Sequence, residues 1–304
     1  MLANLPKQVT IWEVGLRDGL QNETRYISVE EKLELINGLI QSGVKNLEVT
    51  AFVSPKWVPQ MKDASELLAK MERPSECNIS ALVPNEKGLE KALAARLNEI
   101  AVVVSASEGH NLKNLNKTAD EAIREALHLI YKANVAGLRV RAYLSTAFGC
   151  PYDGPVKIER VMEISEKLLG AGAYQVSLGD TIGIAHPKQL QESLSLITRR
   201  IPPGKLALHL HDTRGMALAN TIIGLEYGIT TFDSSFGGLG GCPYAPGASG
   251  NVATEDLVNM LHAMGCQTGI DLDRLVLVST RAQAILGKRL PSKILQIYRR
   301  TRGE

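Results

Sequence analysis

Short apolar runs alternate with segments of helical period along most of this chain. Residues 10–14, 46–50, 78–84, 99–105, 139–146, 174–178, 206–212 and 230–235 read as eight strands. The fourth, Glu99-Ile100-Ala101-Val102-Val103-Val104-Ser105, is almost continuously apolar, the pattern of a parallel strand buried on both faces. Between the strands the period changes. Ser28-Val29-Glu30-Glu31 and Thr118-Ala119-Asp120-Glu121 have the form of capping boxes, where a hydroxyl and a carboxylate three residues apart satisfy each other's backbone N–H groups. After the first box Val29, Leu33, Ile36 and Ile40 recur at helical spacing, and Gly43 marks the stop. After the second, Ala122, Ile123, Ala126, Ile130 and Ala133 fall on one side. Residues 156–171, 187–200, 216–227 and 254–264 read as further helices, and 271–286 as a last one.

Eight strands alternating with helices predict an α/β fold, the (β/α)8 TIM barrel, over residues 8–265, with a C-terminal helical extension over 266–304 packed on it. An open doubly wound sheet is the rival, but no G-x-G-x-x-G follows the first strand. A composition of 44% hydrophobic and 22% charged residues supplies enough apolar material for one large core. The net charge of +2 gives no electrostatic case for nucleic acid, and the basic end Arg299-Arg300-Thr301-Arg302 reads as a solvated helix end. No run of 18 apolar residues is present, so no membrane span is expected. Met1-Leu2-Ala3-Asn4-Leu5-Pro6 does not have the form of a secretory leader. Cys77, Cys150, Cys242 and Cys266 form no C-x-x-C pair and are too sparse for a disulfide scaffold. A reduced, cytoplasmic setting is the expectation.

The barrel carries a geometric prediction, because its active sites lie at the C-terminal ends of the strands. Arg17-Asp18 follows the first strand, and Glu48 lies in the second. Ser177 and Asp180 lie at the sixth, His209 and His211 at the seventh, and Cys242 and Asn251 in the loop after the eighth. In a closed barrel these strands are neighbours, so the polar residues converge on one side of one rim. His209 and His211 are two apart on a strand and share a face, about 7 Å apart along the backbone. Asp18 and Asn251 can flank them. Two imidazoles, a carboxylate and an amide oxygen, with no thiolate, favour Mg2+ or Mn2+ without excluding Zn2+ or Co2+. Residues 236–251 hold six glycines and two prolines before Asn251, a segment that is neither helix nor strand. A cysteine inside such a loop, Cys242, is a candidate acid or nucleophile. Arg17 can neutralise charge developing on a carbonyl oxygen, or tie the rim together by pairing with Glu48 or Asp180.

Four segments carry a resemblance. Gly15-Leu16-Arg17-Asp18-Gly19-Leu20-Gln21-Asn22-Glu23, Phe52-Val53-Ser54-Pro55-Lys56-Trp57-Val58-Pro59-Gln60-Met61, His209-Leu210-His211-Asp212-Thr213 and residues 240–251 resemble 3-hydroxy-3-methylglutaryl-CoA lyases. The resemblance runs from about residue 8 to about 285. The Arg-Asp, Glu and H-x-H elements are similar to those of isopropylmalate and homocitrate synthases too; the cysteine loop is what points to the lyases. The resemblance implies cleavage of 3-hydroxy-3-methylglutaryl-CoA to acetyl-CoA and acetoacetate, in leucine degradation. It implies a divalent cation on Asp18, His209, His211 and Asn251. It further implies Asp180 or His209 as the base, Arg17 on the departing enolate, Glu48 positioning Arg17 or assisting proton transfer, and Cys242 as the acid. Ser54, Tyr143 and Ser177 are implied substrate contacts. The CoA contacts are not readable from the sequence, where no phosphate-cradling glycine loop is obvious; Lys56, Lys113 and Lys117 are lysines near the rim. The partners implied are an acyl-CoA substrate and a second copy of the chain, a homodimer, with no nucleic acid and no membrane. Eukaryotic members carry a further cysteine near the C-terminus; this chain has none after Cys266, so that thiol control is not expected.

Overall fold

The structure, a computed structural model, describes residues 5–241 and 250–301. Eight parallel strands close into a barrel in sequence order. They are β1 (Thr10–Glu13), β2 (Asn46–Ala51), β3 (Asn78–Leu82), β4 (Glu99–Ser105), β5 (Arg139–Ser145), β6 (Gln175–Asp180), β7 (Leu206–Leu210) and β8 (Thr231–Ser234). β8 pairs back onto β1 with Thr10 opposite Thr231, which removes both sheet edges. The helices are α1 (Val29–Gln41), α2 (Ala64–Lys70), α3 (Glu86–Ala94), α4 (Glu108–Leu115), α5 (Ala119–Val135) and α6 (Ile158–Gly170). They continue with α7 (Pro187–Ile197), α8 (Ala217–Glu226), α9 (Thr254–Ala263), α10 (Leu272–Leu286) and α11 (Lys293–Thr301). None of the described helices is long and apolar enough to cross a membrane.

Both predicted capping boxes form, with Ser28–Glu31 and Thr118–Glu121 bonded in both directions. Each satisfies two of the N–H groups that a helix start leaves without partners. The apolar face of α5 is buried as its spacing predicts. That of α1 is rotated from the expected stripe: Val29, Leu35, Ile36 and Leu39 are buried, while Leu33 and Ile40 are half-buried. Lys32 is buried on the same face, where its ammonium meets Asp63, 2.7 Å away, and the Gln60 carbonyl. α10 packs along α1, and its Leu275, Val276, Ala282 and Ile285 join the apolar cluster that fills the space between strands and helices.

The barrel lumen departs from the branched aliphatic filling usual for this architecture. Arg141 lies across it, fully buried. Its guanidinium donates to Gln175 Oε1 at 3.0 Å, Tyr143 Oη at 3.1 Å and Asp233 Oδ1 at 2.7 Å, with the Trp12 and Tyr143 rings within 5.1 Å. A buried guanidinium requires that degree of satisfaction. Polar groups thus continue from the middle of the barrel to its C-terminal rim.

Candidate active site

A cleft of about 320 Å3 opens at the C-terminal end of the strands, lined by Arg17, Asp18, Tyr143, His209 and His211 among others. A second cavity, of about 270 Å3, lies at the opposite end against Gln8, Lys45 and Gln267, and holds none of the predicted site residues.

One turn of π-helix, Gly15–Gly19, follows β1, with the Asp18 and Gly19 N–H groups both on the Val14 carbonyl. The widened turn sets Arg17 and Asp18 side by side at the mouth. Arg17 donates from Nη1 to Asp18 Oδ1 at 2.6 Å and from Nε to Glu48, which β2 presents from below. Burial alone would raise the Asp18 carboxyl, but Arg17 and the two histidines hold it well below the usual carboxylate range. Burial pushes the Glu48 carboxyl up against the pull of Arg17.

His209 stands on β7 and His211 just beyond it, with their Nε2 atoms 3.3 Å apart. Burial, and then His209, lower His211 to about 4, so its imidazole is neutral near pH 7, the form that ligates metals. Beyond Gly250 two isolated bridges pair Asn251 with His211 and Ala253 with Ser235. That pairing sets the Asn251 amide beside Asp18, with Nδ2 donating to Asp18 Oδ2 at 2.7 Å and to the Leu239 carbonyl at 3.2 Å. Gly240 allows the close approach: its φ is +117°, and a Cβ there would lie 2.7 Å from Asn251 Nδ2.

Ligand atoms of Asp18, His209 and His211 all lie within 4.8 Å of one another. The Asn251 amide oxygen is buried and has no hydrogen-bond partner among the described residues. Facing imidazole nitrogens and a carboxylate, with an unpartnered buried acceptor on the neighbouring Asn251 side chain, suit a divalent cation held by two nitrogens and two oxygens.

The HMGL-like family profile matches residues 8–281. The chain belongs to that family. It is 49% identical over 97% of its length to a Bacillus subtilis protein named hydroxymethylglutaryl-CoA lyase, covering 98% of that protein. It is 44% identical to the human mitochondrial hydroxymethylglutaryl-CoA lyase over 97% of this chain and 91% of the relative. Among solved structures, an HMG-CoA lyase from Acinetobacter baumannii in complex with coenzyme A and 3-methylmalate superposes with a TM-score of 0.91 at 38% identity, covering 95% of each chain.

The structure brings Arg17, Asp18, Glu48, Tyr143, His209, His211 and Asn251 together at this rim. Cys242 lies outside the described residues. Asp180 does not line the cleft. It ends β6, three positions after the inward-facing Ser177 and therefore on the opposite face, and it accepts from the Ile184 and Ala185 N–H groups at 2.9 and 3.1 Å. Burial pushes its carboxyl up to about 6 despite those bonds. Ser177 is buried below the cleft and donates to Asp233 Oδ2 at 2.7 Å. Ser54 lies in an exposed turn and accepts the Trp57 and Val58 N–H groups, and Trp57 and Val58, not Ser54, wall the cleft. Lys56 and Lys113 are exposed, and Lys117 pairs with Glu125. Sequence reasoning missed Asp233 and Arg141 beneath the histidines. The signal was present: Arg141 and Tyr143 share a parity on the fifth strand, as Thr231 and Asp233 do on the eighth.

Proposed function

We propose that this chain is a divalent-metal-dependent carbon–carbon lyase that cleaves 3-hydroxy-3-methylglutaryl-CoA to acetyl-CoA and acetoacetate. The observation that carries this reading is the convergence of Asp18, His209, His211 and Asn251 beside Arg17, in a chain 49% identical to a named lyase. Mg2+ or Mn2+ suits the donor set. Such a cation, when bound, supplies Lewis acidity and lowers the pKa of the substrate's C3 hydroxyl.

Asp180 takes the hydroxyl proton through one bridging water, because its carboxyl lies outside the cleft lining. Its carboxyl, pushed up to about 6, is poised for proton transfer near neutral pH, and each oxygen keeps a second lone pair besides the one its backbone donor occupies. His209 suits the base role less, because Nε2 faces the ligand cluster and Nδ1 faces Asp233. As the C3 oxygen forms its carbonyl, the C2–C3 bond breaks and its electron pair becomes the enolate of the acetyl thioester. Arg17, fixed by Glu48, stabilises the enolate oxygen. Cys242 delivers the proton to the enolate carbon. Tyr143, on the cleft wall, contacts substrate. Ser54 and Ser177 receive no substrate contact in this scheme, because one lies outside the cleft lining and the other is engaged by Asp233.

The same reading assigns the chemistry to residues 8–265 and an accessory role to the 266–304 extension. It places the enzyme in leucine degradation, as a homodimer in the reducing cytoplasm. The free thiols of Cys77, Cys150 and Cys266 suit that compartment. The test is release of acetyl-CoA from 3-hydroxy-3-methylglutaryl-CoA, in a coupled assay with Mg2+ or Mn2+ and with or without chelator. No release at saturating substrate overturns the substrate assignment; release that a chelator leaves unchanged overturns the metal.

A further inference from the structure

Beneath the two histidines lies a buried group to which the scheme above gives no task. Asp233 sits on β8 directly opposite His209 in the strand register and is 1% exposed. Its Oδ2 lies 3.3 Å from His209 Nδ1 and accepts from the Ser177 hydroxyl at 2.7 Å. Its Oδ1 accepts from Arg141 at 2.7 Å. Arg141 is itself fixed by Tyr143 on its own strand, by Gln175 on β6 and by the Trp12 ring on β1. The Tyr143 ring meets the His209 ring edge-on at 5.9 Å.

We propose that Asp233 is a positioning residue that locks His209 in the Nδ1–H tautomer and aims its bare Nε2 at the ligand cluster, and that Arg141 locks Asp233 in turn. The chemistry leaves little freedom. A carboxylate paired with a guanidinium only accepts hydrogen bonds, so a neutral imidazole facing it places its proton on Nδ1. The lone pair then falls on Nε2, the atom that faces His211 Nε2 and Asp18. A ligating histidine whose second nitrogen donates to a carboxylate is held in both tautomer and orientation, and gains basicity as a ligand. The hydrogen bond between the two Nε2 atoms follows too. In metal-free protein His211 must be the donor, which leaves its Nδ1 as an acceptor without a partner among the described residues, as observed. The inference rests on the metal reading of the site only in its second half; the tautomer belongs to the metal-free chain.

The substitution Asp233→Asn isolates the effect. Arg141 can only donate, so it draws the amide oxygen of the new residue to itself and turns the amide NH2 toward His209. His209 Nδ1 must then accept, and the proton moves to Nε2, where it blocks the metal. The experiment is long-range 1H–15N correlation of histidine-labelled, chelator-treated full chain, with the His209 signals assigned by their loss in His209→Gln. Isothermal titration with Mn2+ alone runs beside it. Wild type should show protonated Nδ1 and unprotonated Nε2 on His209. Asp233→Asn should exchange the two and weaken Mn2+ by roughly tenfold to a hundredfold. Ser177→Ala, which leaves the Asp233–His209 contact in place, should keep the wild-type tautomer. A protonated Nε2 on wild-type His209 overturns the proposal without any variant having to fold. A folded Asp233→Asn with an unchanged tautomer also overturns it, even if its melting temperature falls. Failure of the metal reading has a different signature: Mn2+ binding unaltered by His211→Ala, with the His209 tautomer still as stated.

Discussion

Glu13 ends β1 fully buried, and burial pushes its carboxyl up from 4.5 to about 8. Its Oε1 accepts from the Gly15 N–H at 2.7 Å and the Phe236 N–H at 3.0 Å, and its Oε2 meets the Thr254 hydroxyl at 2.6 Å. One side chain therefore ties the Arg17–Asp18 turn to the segments before and after the cysteine loop. Because the folded-state pKa of an acid is raised, the folded protein keeps a proton that the unfolded chain has released above about 4.5. Its stability falls with rising pH through that window, by about 1.36 kcal/mol per pH unit for this one group, and levels off above about 8. Across the window the loss is on the order of 5 kcal/mol. Glu13→Gln removes the titration and keeps the hydrogen bonds. Its carbonyl accepts the two N–H groups, and its amide donates to Thr254, whose hydroxyl passes its proton to Ser234, 2.8 Å away. The measurement is urea unfolding of wild type and Glu13→Gln at pH 5, 6, 7 and 8. The stability difference should move in favour of the variant by several kcal/mol between the ends of that range. A difference independent of pH would refute the reasoning, since Glu13 would then ionise alike in both states. A difference moving toward the wild type would mean that the three donors hold the ionised form.

Other substitutions read other parts of the structure. His211→Ala removes one of three clustered ligands, and protein purified without chelator should lose stoichiometric divalent metal by elemental analysis; equal content in both proteins counts against the site. Cys242→Ser should lower turnover by orders of magnitude while Mn2+ binding by titration stays unchanged, and full activity removes Cys242 as the acid. Lys32→Met leaves the buried Asp63 with only the Tyr26 hydroxyl, at 2.9 Å, of its side-chain partners. Stranding one partner of a buried ion pair costs roughly 3–5 kcal/mol, measurable by denaturant unfolding, and a cost below about 1 kcal/mol would show that Asp63 is not desolvated.

The fold was legible because its signals are local. All eight strands and both capping boxes follow from apolar period and cap chemistry, each read within a window of a few residues. The strand boundaries were less legible for the same reason. β6 runs on to Asp180, where a glycine and an aspartate predict a turn, because pairing with β7 carries the ladder through Gly179 and Asp180. Tertiary context there outweighs the local preference of those residues.

The site divides along the same line. Residues beside strand ends, such as Asp18 and His211, were readable, because the barrel delivers strand ends to one rim whatever the register; Asp180 is the exception, ending β6 on the face away from the cleft. The partners of residues within strands were not, because they depend on the stagger between neighbours. Asp233 is the clearest case. Its side of the strand follows from alternation, yet nothing local distinguishes a lumen aspartate opposite His209 from one opposite Ala207. Only the register does so, matching Leu208 to Phe232 and His209 to Asp233. A shift of two residues would keep every side chain on its face and put the carboxylate out of reach of the imidazole. The candidate metal ligands on the rim thus depend on the closure of the barrel, which patterning predicts. Their orientation depends on the stagger, fixed here by buried contacts such as Arg141 reaching from β5 to β8.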